Sequence, residues 1–173
     1  MKDHFLMFAR YNRWANRLLY AAAAELDDEQ YRADRGAFFK SLHGTLNHLL
    51  LGDRVWMRRL TGEGHAYAAL DLILFDKLEL LQHAREAEDA RIVDYVDKLT
   101  PARLAGSIRY TTVTSRLTFE QPLAPALAHF FNHQTHHRGQ AHAILTSLVG
   151  HAPELDLLYF QRACGNGGGR LIA

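Results

Sequence analysis

The longest helical pattern in the chain runs from Pro122 to Leu148 and stops before Gly150. On a helical wheel at about 100° per residue, its main apolar side chains fall within about 40° of Leu123. They are Leu127, Phe130, Ala141, Leu145 and Leu148. A stripe of this width is typical of a helix that packs against other helices. The chain is therefore expected to form an all-α fold around a long, half-buried helix.

This helix carries four of the eleven histidines, in the segment HFFNHQTHHRGQ. His133 and His137 are four residues apart and fall about 80° and 40° from the centre of the stripe, facing the interior. His129 and His136 fall at about 120–140°, which predicts exposed positions. Two imidazoles on successive turns are placed to chelate one metal ion, with a third ligand from another helix. The alternative is a surface pair that arose by chance.

The second helix, predicted over 39–60, offers two candidates for the third ligand. His43 and His48 lie at similar angles from its apolar stripe, on opposite sides, so spacing alone does not choose between them. Gly44 and Gly52 lie one turn on either side of His48. Small residues there are expected to leave space for an ion and a substrate, which favours His48.

The remaining periodicity predicts further helices and one hairpin. The first helix is expected to begin at Asp3 as its N-cap. The segment 27–39 is interpreted as a connector, and the Thr-rich segment 107–121 as a two-stranded hairpin turning near 113–115. The predicted helices are 3–26, 39–60, 75–99, 122–148 and a short fifth helix, 155–163. We predict one domain over 1–164, an up-and-down four-helix bundle, and a flexible tail over 165–173.

Composition excludes several classes of protein. The formal net charge is +1, with 20 basic and 19 acidic residues, so the basic excess of a nucleic-acid-binding protein is missing. Cys164 is the only cysteine, which excludes an intramolecular disulfide and a cysteine-based zinc site. The apolar segments are too short for a signal peptide or a membrane span, so we expect a cytoplasmic protein with no membrane partner.

Three segments together resemble the DinB family of metalloproteins, the damage-inducible, YfiT-like family. They are YNRWANRLL (11–19), LHGTLNHLLLGDRVWMRRLTGE (42–63) and FNHQTHHRGQAHAIL (131–145). The resemblance covers nearly the whole chain in the same order and spacing. It implies a four-helix bundle with up-down-down-up topology, which replaces the simpler up-and-down arrangement. It also implies that homodimers are common.

The resemblance also implies one divalent metal ion per chain, most often zinc or nickel, held by three histidines. One family ligand is a histidine followed eight residues later by tryptophan, and His48 with Trp56 matches this pattern. The other two form an HxxxH pair just before RGQ, which His133 and His137 match. The resemblance thus selects His48 over His43.

Related proteins in this superfamily imply a thiol-dependent S-transferase or detoxifying enzyme that uses a small thiol such as bacillithiol or mycothiol. A metal-dependent hydrolase is the alternative enzyme, and a non-catalytic metal-binding stress-response protein is the alternative of another class. Three imidazoles with open coordination positions are typical of a catalytic metal. The reacting group would be metal-bound water or thiol, and no protein residue is assigned as catalytic.

Several polar residues are candidates for supporting roles. Asn12 and Asn16 lie one turn apart and are candidates either to orient a ligand histidine or to form interhelical hydrogen bonds. Asp53 is a candidate to orient a histidine or to pair near Arg54.

Two further candidates follow the ligand pair on the last long helix. Arg138 is expected to bind an anionic substrate or a carboxylate of the partner subunit. Gln140 is a candidate to hydrogen-bond metal-bound water.

Overall fold

The computed structural model describes residues 1–165, which form seven helices and one two-stranded hairpin. Almost all of the predicted tail, 165–173, lies outside the described residues. The elements are α1 (Lys2–Ala24), α2 (Asp28–Arg32), α3 (Leu42–Thr61), α4 (Leu78–Asp97), α5 (Pro101–Leu104), β1 (Ser107–Thr111), β2 (Thr118–Pro122), α6 (Leu123–Val149) and α7 (Leu157–Ala163).

The ends of the long helices follow local chemistry. The side chain of Ser41 accepts a hydrogen bond from the backbone N–H of Gly44, which starts α3. Gly62 and Gly150 end α3 and α6 with φ of 80°, a left-handed conformation that costs glycine little. Asp3 is not the N-cap of α1, because the helix already begins at Lys2 after Met1. Asp3 instead lies in the first turn, where a negative charge favours the helix dipole.

The four long helices α1, α3, α4 and α6 share one interior, with α1 and α3 each packed against both α4 and α6. Two apolar clusters fill that interior. One lies near the hairpin and includes Phe5, Trp56, Ile92, Leu123 and Phe130. The other includes Leu19, Leu46, Leu81, Ala141 and Leu145. The polar residues described below lie on α1, α3, α4 and α6, the helices that contribute to both clusters.

The hairpin is confirmed in the predicted place. Strand β1 pairs antiparallel with β2, from Ser107 opposite Pro122 to Thr111 opposite Thr118. Ile108 is buried in the first apolar cluster, and the ring of Tyr110 lies 5.4 Å from the ring of Trp56. These contacts attach the hairpin to α3.

Two short helices were not predicted. The segment interpreted as a connector contains α2, which begins with a capping box between Asp27 and Gln30. Helix α5 begins with the Thr100 side chain accepting from the backbone of Arg103, and with Pro101 in its first turn. Both signals are local and visible in the sequence. Within residues 1–165, the helices are all too short or too polar to cross a membrane.

Candidate metal centre

Three histidines from α3 and α6 converge on one point. Nε2 of His137 lies 3.2 Å from Nε2 of His48 and 3.1 Å from Nε2 of His133. The potential ligand atoms of the three residues all lie within 4.8 Å of one another. His129 and His136 are exposed, as the wheel predicted. The i, i+4 pair on α6 therefore meets one histidine of α3, and that histidine is His48.

The outward nitrogens of two rings are already engaged. Nδ1 of His48 lies 2.8 Å from the carbonyl oxygen of Leu70, and Nδ1 of His137 lies 2.7 Å from Oε1 of Gln140. Because both oxygens only accept hydrogen bonds, each Nδ1 must carry the proton of its neutral ring. The Nε2 atoms of His48 and His137 then present lone pairs to each other. A cation between them would turn this repulsion into attraction.

The spacing of these nitrogens suits a metal ion. Zinc–imidazole bonds are about 2.0–2.1 Å, so two nitrogens bound to one ion lie roughly 3 Å apart. The observed separations of 3.1 and 3.2 Å agree with this value. Nδ1 of His133 is buried and has no hydrogen-bond partner among the described residues, so its ring gains little from the protein alone. The donor set therefore fits a divalent cation with nitrogen ligands.

Burial keeps all three rings neutral. It lowers the pKa of His48 to about 4, against the raising effect of its hydrogen bond to Leu70. Burial also lowers the pKa of His133 to about 3, and the other histidines add to that shift. The pKa of His137 is lowered for the same main reason. Since a metal binds the unprotonated ring, the site is ready for an ion at neutral pH.

Comparison with known proteins identifies the family of the chain. The model of the DinB family matches residues 1–164. The chain belongs to the DinB family. One curated DinB relative, Protein DinB of Bacillus subtilis (strain 168), is 26% identical over 160 residues, covering 84% of this chain and 86% of the relative.

Gly44 and Gly52 of this DinB-family chain were predicted to leave space for an ion and a substrate, and the structure shows other neighbours. A Cβ on Gly44 would overlap the carbonyl oxygen of Phe39. The absence of a side chain at Gly44 thus allows the backbone of Phe39 to approach and leaves no space for an ion. A Cβ on Gly52 would lie 3.0 Å from Cε1 of His133, so Gly52 makes room for a histidine of the cluster. The close approach at Gly44 accompanies stacking of the Phe39 ring on His48, with centroids 3.8 Å apart.

The loop over residues 62–77 is fastened beside the cluster by Asn47, which sequence reasoning missed. Its Oδ1 accepts from the backbone N–H groups of Leu74 and Phe75, and its Nδ2 donates to the carbonyl oxygen of Phe75. The same loop supplies the Leu70 carbonyl that orients His48. The signal available in the sequence was an asparagine between Leu46 and His48, at a position that the structure shows to be fully buried.

His43, the alternative on α3, lies outside the cluster. Its Nε2 is 3.2 Å from the carbonyl oxygen of Phe75, and its ring meets the ring of Tyr31 edge-on at 5.2 Å. It therefore helps to hold the loop rather than an ion.

Asn12, Asn16 and Asp53 lie in a buried network of charged and amide groups. Both asparagines donate to Asp89, Asn12 at 3.2 Å and Asn16 at 2.9 Å. Asp53 pairs with Arg85 at 2.6 Å, and Arg85 also pairs with Asp89 at 3.1 Å. Of the two roles predicted for the asparagines, interhelical hydrogen bonding is the one observed. The partners predicted for Asp53 were wrong, because Arg85 of α4 provides a buried cation that the local sequence of α3 does not reveal.

Arg138 also belongs to the interior. It is 2% exposed, its guanidinium donates to Oδ1 of Asn12, and it lies 5.0 Å from the centre of the Tyr11 ring. The contacts observed for Arg138 are therefore with Asn12 and Tyr11 of α1, and its predicted roles, binding an anionic substrate or a carboxylate of the partner subunit, stay predictions. Gln140 does lie at the site, but it contacts His137 directly, and so orients a ring of the cluster.

Proposed function

We propose that His48, His133 and His137 hold one divalent metal ion, zinc or nickel, and that the protein is a thiol-dependent S-transferase or detoxifying enzyme. The observation that carries the proposal is the convergence of three Nε2 atoms at 3.1 and 3.2 Å in rings that burial keeps neutral. Membership of the DinB family supports it.

The number of ligands supports catalysis over a purely structural role. Structural zinc sites usually have four protein ligands, whereas catalytic sites have three and keep a position open. The cluster in the described residues contains three histidines. When bound, a divalent ion would lower the pKa of a thiol or water at the open position, so that a nucleophile forms near neutral pH.

The surrounding residues prepare the three rings for this role. Leu70 and Gln140 keep the Nδ1 protons of His48 and His137 in place, which leaves their Nε2 atoms free to coordinate. Phe39 covers one face of His48 and shields the cluster from water on that side. These contacts fix two of the rings before an ion arrives, so little ordering is required on binding.

We infer that α1, α3, α4 and α6 form the family's four-helix bundle with up-down-down-up topology, within one domain over 1–164. The mutual packing of these helices and the span of the family match support this inference. We also infer a homodimer, from the resemblance to the family.

Turnover tests the proposal. Metal-loaded protein is mixed with a panel of low-molecular-weight thiols and a bimane electrophile, and the rate of thioether formation is measured. We expect acceleration with at least one thiol, which His137→Ala abolishes and the exposed neighbour variant His136→Ala retains. No acceleration with any thiol would contradict the transferase and leave hydrolysis or metal binding without turnover.

A further inference from the structure

An arginine-rich cleft lies where the end of α3 meets the hairpin and the loop 62–77. Two adjoining cavities form it, with volumes of about 220 and 500 Å³. Four of the described arginines line these cavities: Arg58, Arg59, Arg109 and Arg116. We call this region the arginine cleft. Within the part of the chain that the structure describes, aspartate and glutamate are absent from the lining of both cavities. A concave surface with several cations and no lining acid attracts anions.

Arg59 is held in position without a carboxylate. Its guanidinium carbon lies 4.6 Å from the centre of the Trp56 ring and 4.5 Å from the centre of the Tyr110 ring. It forms no ion pair among residues 1–165. Cation–π contacts fix the plane of the guanidinium but leave its N–H groups as donors. Partial burial lowers the pKa of Arg59, a cost that a bound anion would offset.

Hydroxyl groups complete the lining. Thr111 and Thr112 line the smaller cavity beside Tyr67, and Thr118 lines the larger one. The hydroxyls of Thr111 and Thr118 bond to each other at 2.9 Å, and that of Thr112 bonds to Ser115. The guanidinium groups are therefore the main donors that match the acceptor oxygens of a phosphate or a carboxylate. The cavity volumes suit a small molecule, and the overall charge of +1 does not favour a polyanion such as RNA.

The arginine cleft adjoins the histidine cluster. The Trp56 ring, against which the Arg59 guanidinium stacks, lies 5.0 Å from the ring of His129. The ring of His129 lies 5.9 Å from that of His133. In addition, the loop that lines the smaller cavity with Tyr67 supplies the Leu70 carbonyl to His48. The histidines of the cluster do not line either cavity, so a ligand that contacts both regions would extend past the rings of Trp56 and His129.

We propose that the arginine cleft binds the phosphate or carboxylate group of a small substrate whose reacting group lies at the three histidines. The second half of this statement rests on the proposed function, and the first half does not. The proposed substrates are therefore small molecules that carry a negative charge. Arg59 is the central donor, and Arg109 provides a second charge from β1.

Anion binding to metal-free protein tests the cleft separately from the metal. Inorganic phosphate and succinate are titrated in turn at constant ionic strength, with binding followed by calorimetry. We expect saturable binding that Arg59→Gln and Arg109→Gln each weaken at least about tenfold, as loss of a charged hydrogen bond predicts. Arg109 is exposed on β1, so its variant keeps the test valid if Arg59→Gln folds poorly. Tighter binding of phosphate or of succinate identifies which anion the cleft prefers.

The matched control is Arg13→Gln, which removes an exposed arginine of α1 and should leave binding unchanged. Absence of saturable binding of both anions, or equal weakening by Arg13→Gln and Arg109→Gln, would overturn the proposal. Because no metal is present, a failure here leaves the metal site untouched. A protein that binds phosphate at the cleft but no metal would instead contradict only the proposed function.

Discussion

Two groups of polar residues lie between the helices. They differ in whether neighbouring side chains neutralise their charges or lone pairs. In the arginine–aspartate network (Asp53, Arg85 and Asp89), opposite charges meet at 2.6 and 3.1 Å. In the histidine cluster, the Nε2 atoms of His48 and His137 face each other at 3.2 Å, and both are hydrogen-bond acceptors. Ion pairs within the protein neutralise the charges of the network, whereas a cation from outside would be needed to compensate the facing lone pairs of the cluster. Burial of polar residues alone therefore does not indicate function; the absence of internal compensation does.

The two groups also differ in the helices that they join. Asp53 lies on α3, Arg85 and Asp89 on α4, and the asparagines that contact Asp89 on α1. The network thus joins three helices, and changes in it should act on folding. The cluster joins only α3 and α6, and changes in it should act on the metal.

The largest expected effect is on the network. Arg85→Met leaves Asp53 and Asp89 buried without their cation, which should lower the free energy of unfolding by about 3–5 kcal/mol. Urea unfolding of metal-free protein measures it. Metal content per folded chain should not change.

The exposed variant Arg10→Met is the control and should stay within about 0.5 kcal/mol of the wild type. Adding Asp53→Asn and Asp89→Asn to Arg85→Met removes the uncompensated charges and should recover part of the loss. If Arg85→Met lowered the free energy of unfolding by less than about 1 kcal/mol, the ion pairs of Arg85 with Asp53 and Asp89 would not stabilise the fold as described.

The next effect concerns pH and the metal-free cluster. The unfolded chain binds protons on His48 and His133 near pH 6.5, whereas burial lowers the pKa of the folded residues to about 4 and 3. The contribution of these two residues to the free energy of unfolding is thus complete above pH 6.5 and is lost as pH falls toward 4. We expect these residues to make the free energy of unfolding about 2 kcal/mol lower at pH 5.5 than at pH 7.

The difference between the wild type and the double variant His48→Gln, His133→Gln isolates this contribution, because every other titrating group is shared. Denaturant unfolding at both pH values measures it. Equal pH dependence in the two proteins would mean that the histidines are not held neutral by burial.

The smallest effect is on the orientation of one ring. Gln140→Leu removes the acceptor of the His137 Nδ1 proton. It should weaken metal affinity about tenfold, the lower limit usually seen when a residue that hydrogen-bonds a metal ligand is removed. Gln140→Glu keeps an acceptor oxygen and should bind as tightly as the wild type. Competition with a chromophoric chelator measures both, and unchanged affinity in Gln140→Leu would remove Gln140 from the site.

Much of the fold was predictable because its signals are periodic. The stripe on α6, the glycine ends of α3 and α6, and the Thr-rich hairpin all appear in local sequence. The two short helices were missed because their signals are single caps, Asp27 with Gln30 and Thr100 with Pro101, rather than repeating patterns.

The site was predictable only in part. The wheel placed His133 and His137 on the interior side, but the choice of His48 over His43 needed the family resemblance. The partners of Asp53 and Arg138 were not predictable, because Arg85 and Asn12 come from distant parts of the chain and meet them only in the folded interior. Side-chain type indicates what a residue is able to bind, and tertiary packing decides what it meets.

Metal content of untagged protein is the most direct test of the central claim. Elemental analysis should give about one divalent ion per chain in the wild type and in His136→Ala, whose side chain lies outside the cluster. His137→Ala should lose the ion, because Nε2 of His137 contacts both other histidines. Full metal content in His137→Ala, or its loss in His136→Ala, would contradict the proposed site.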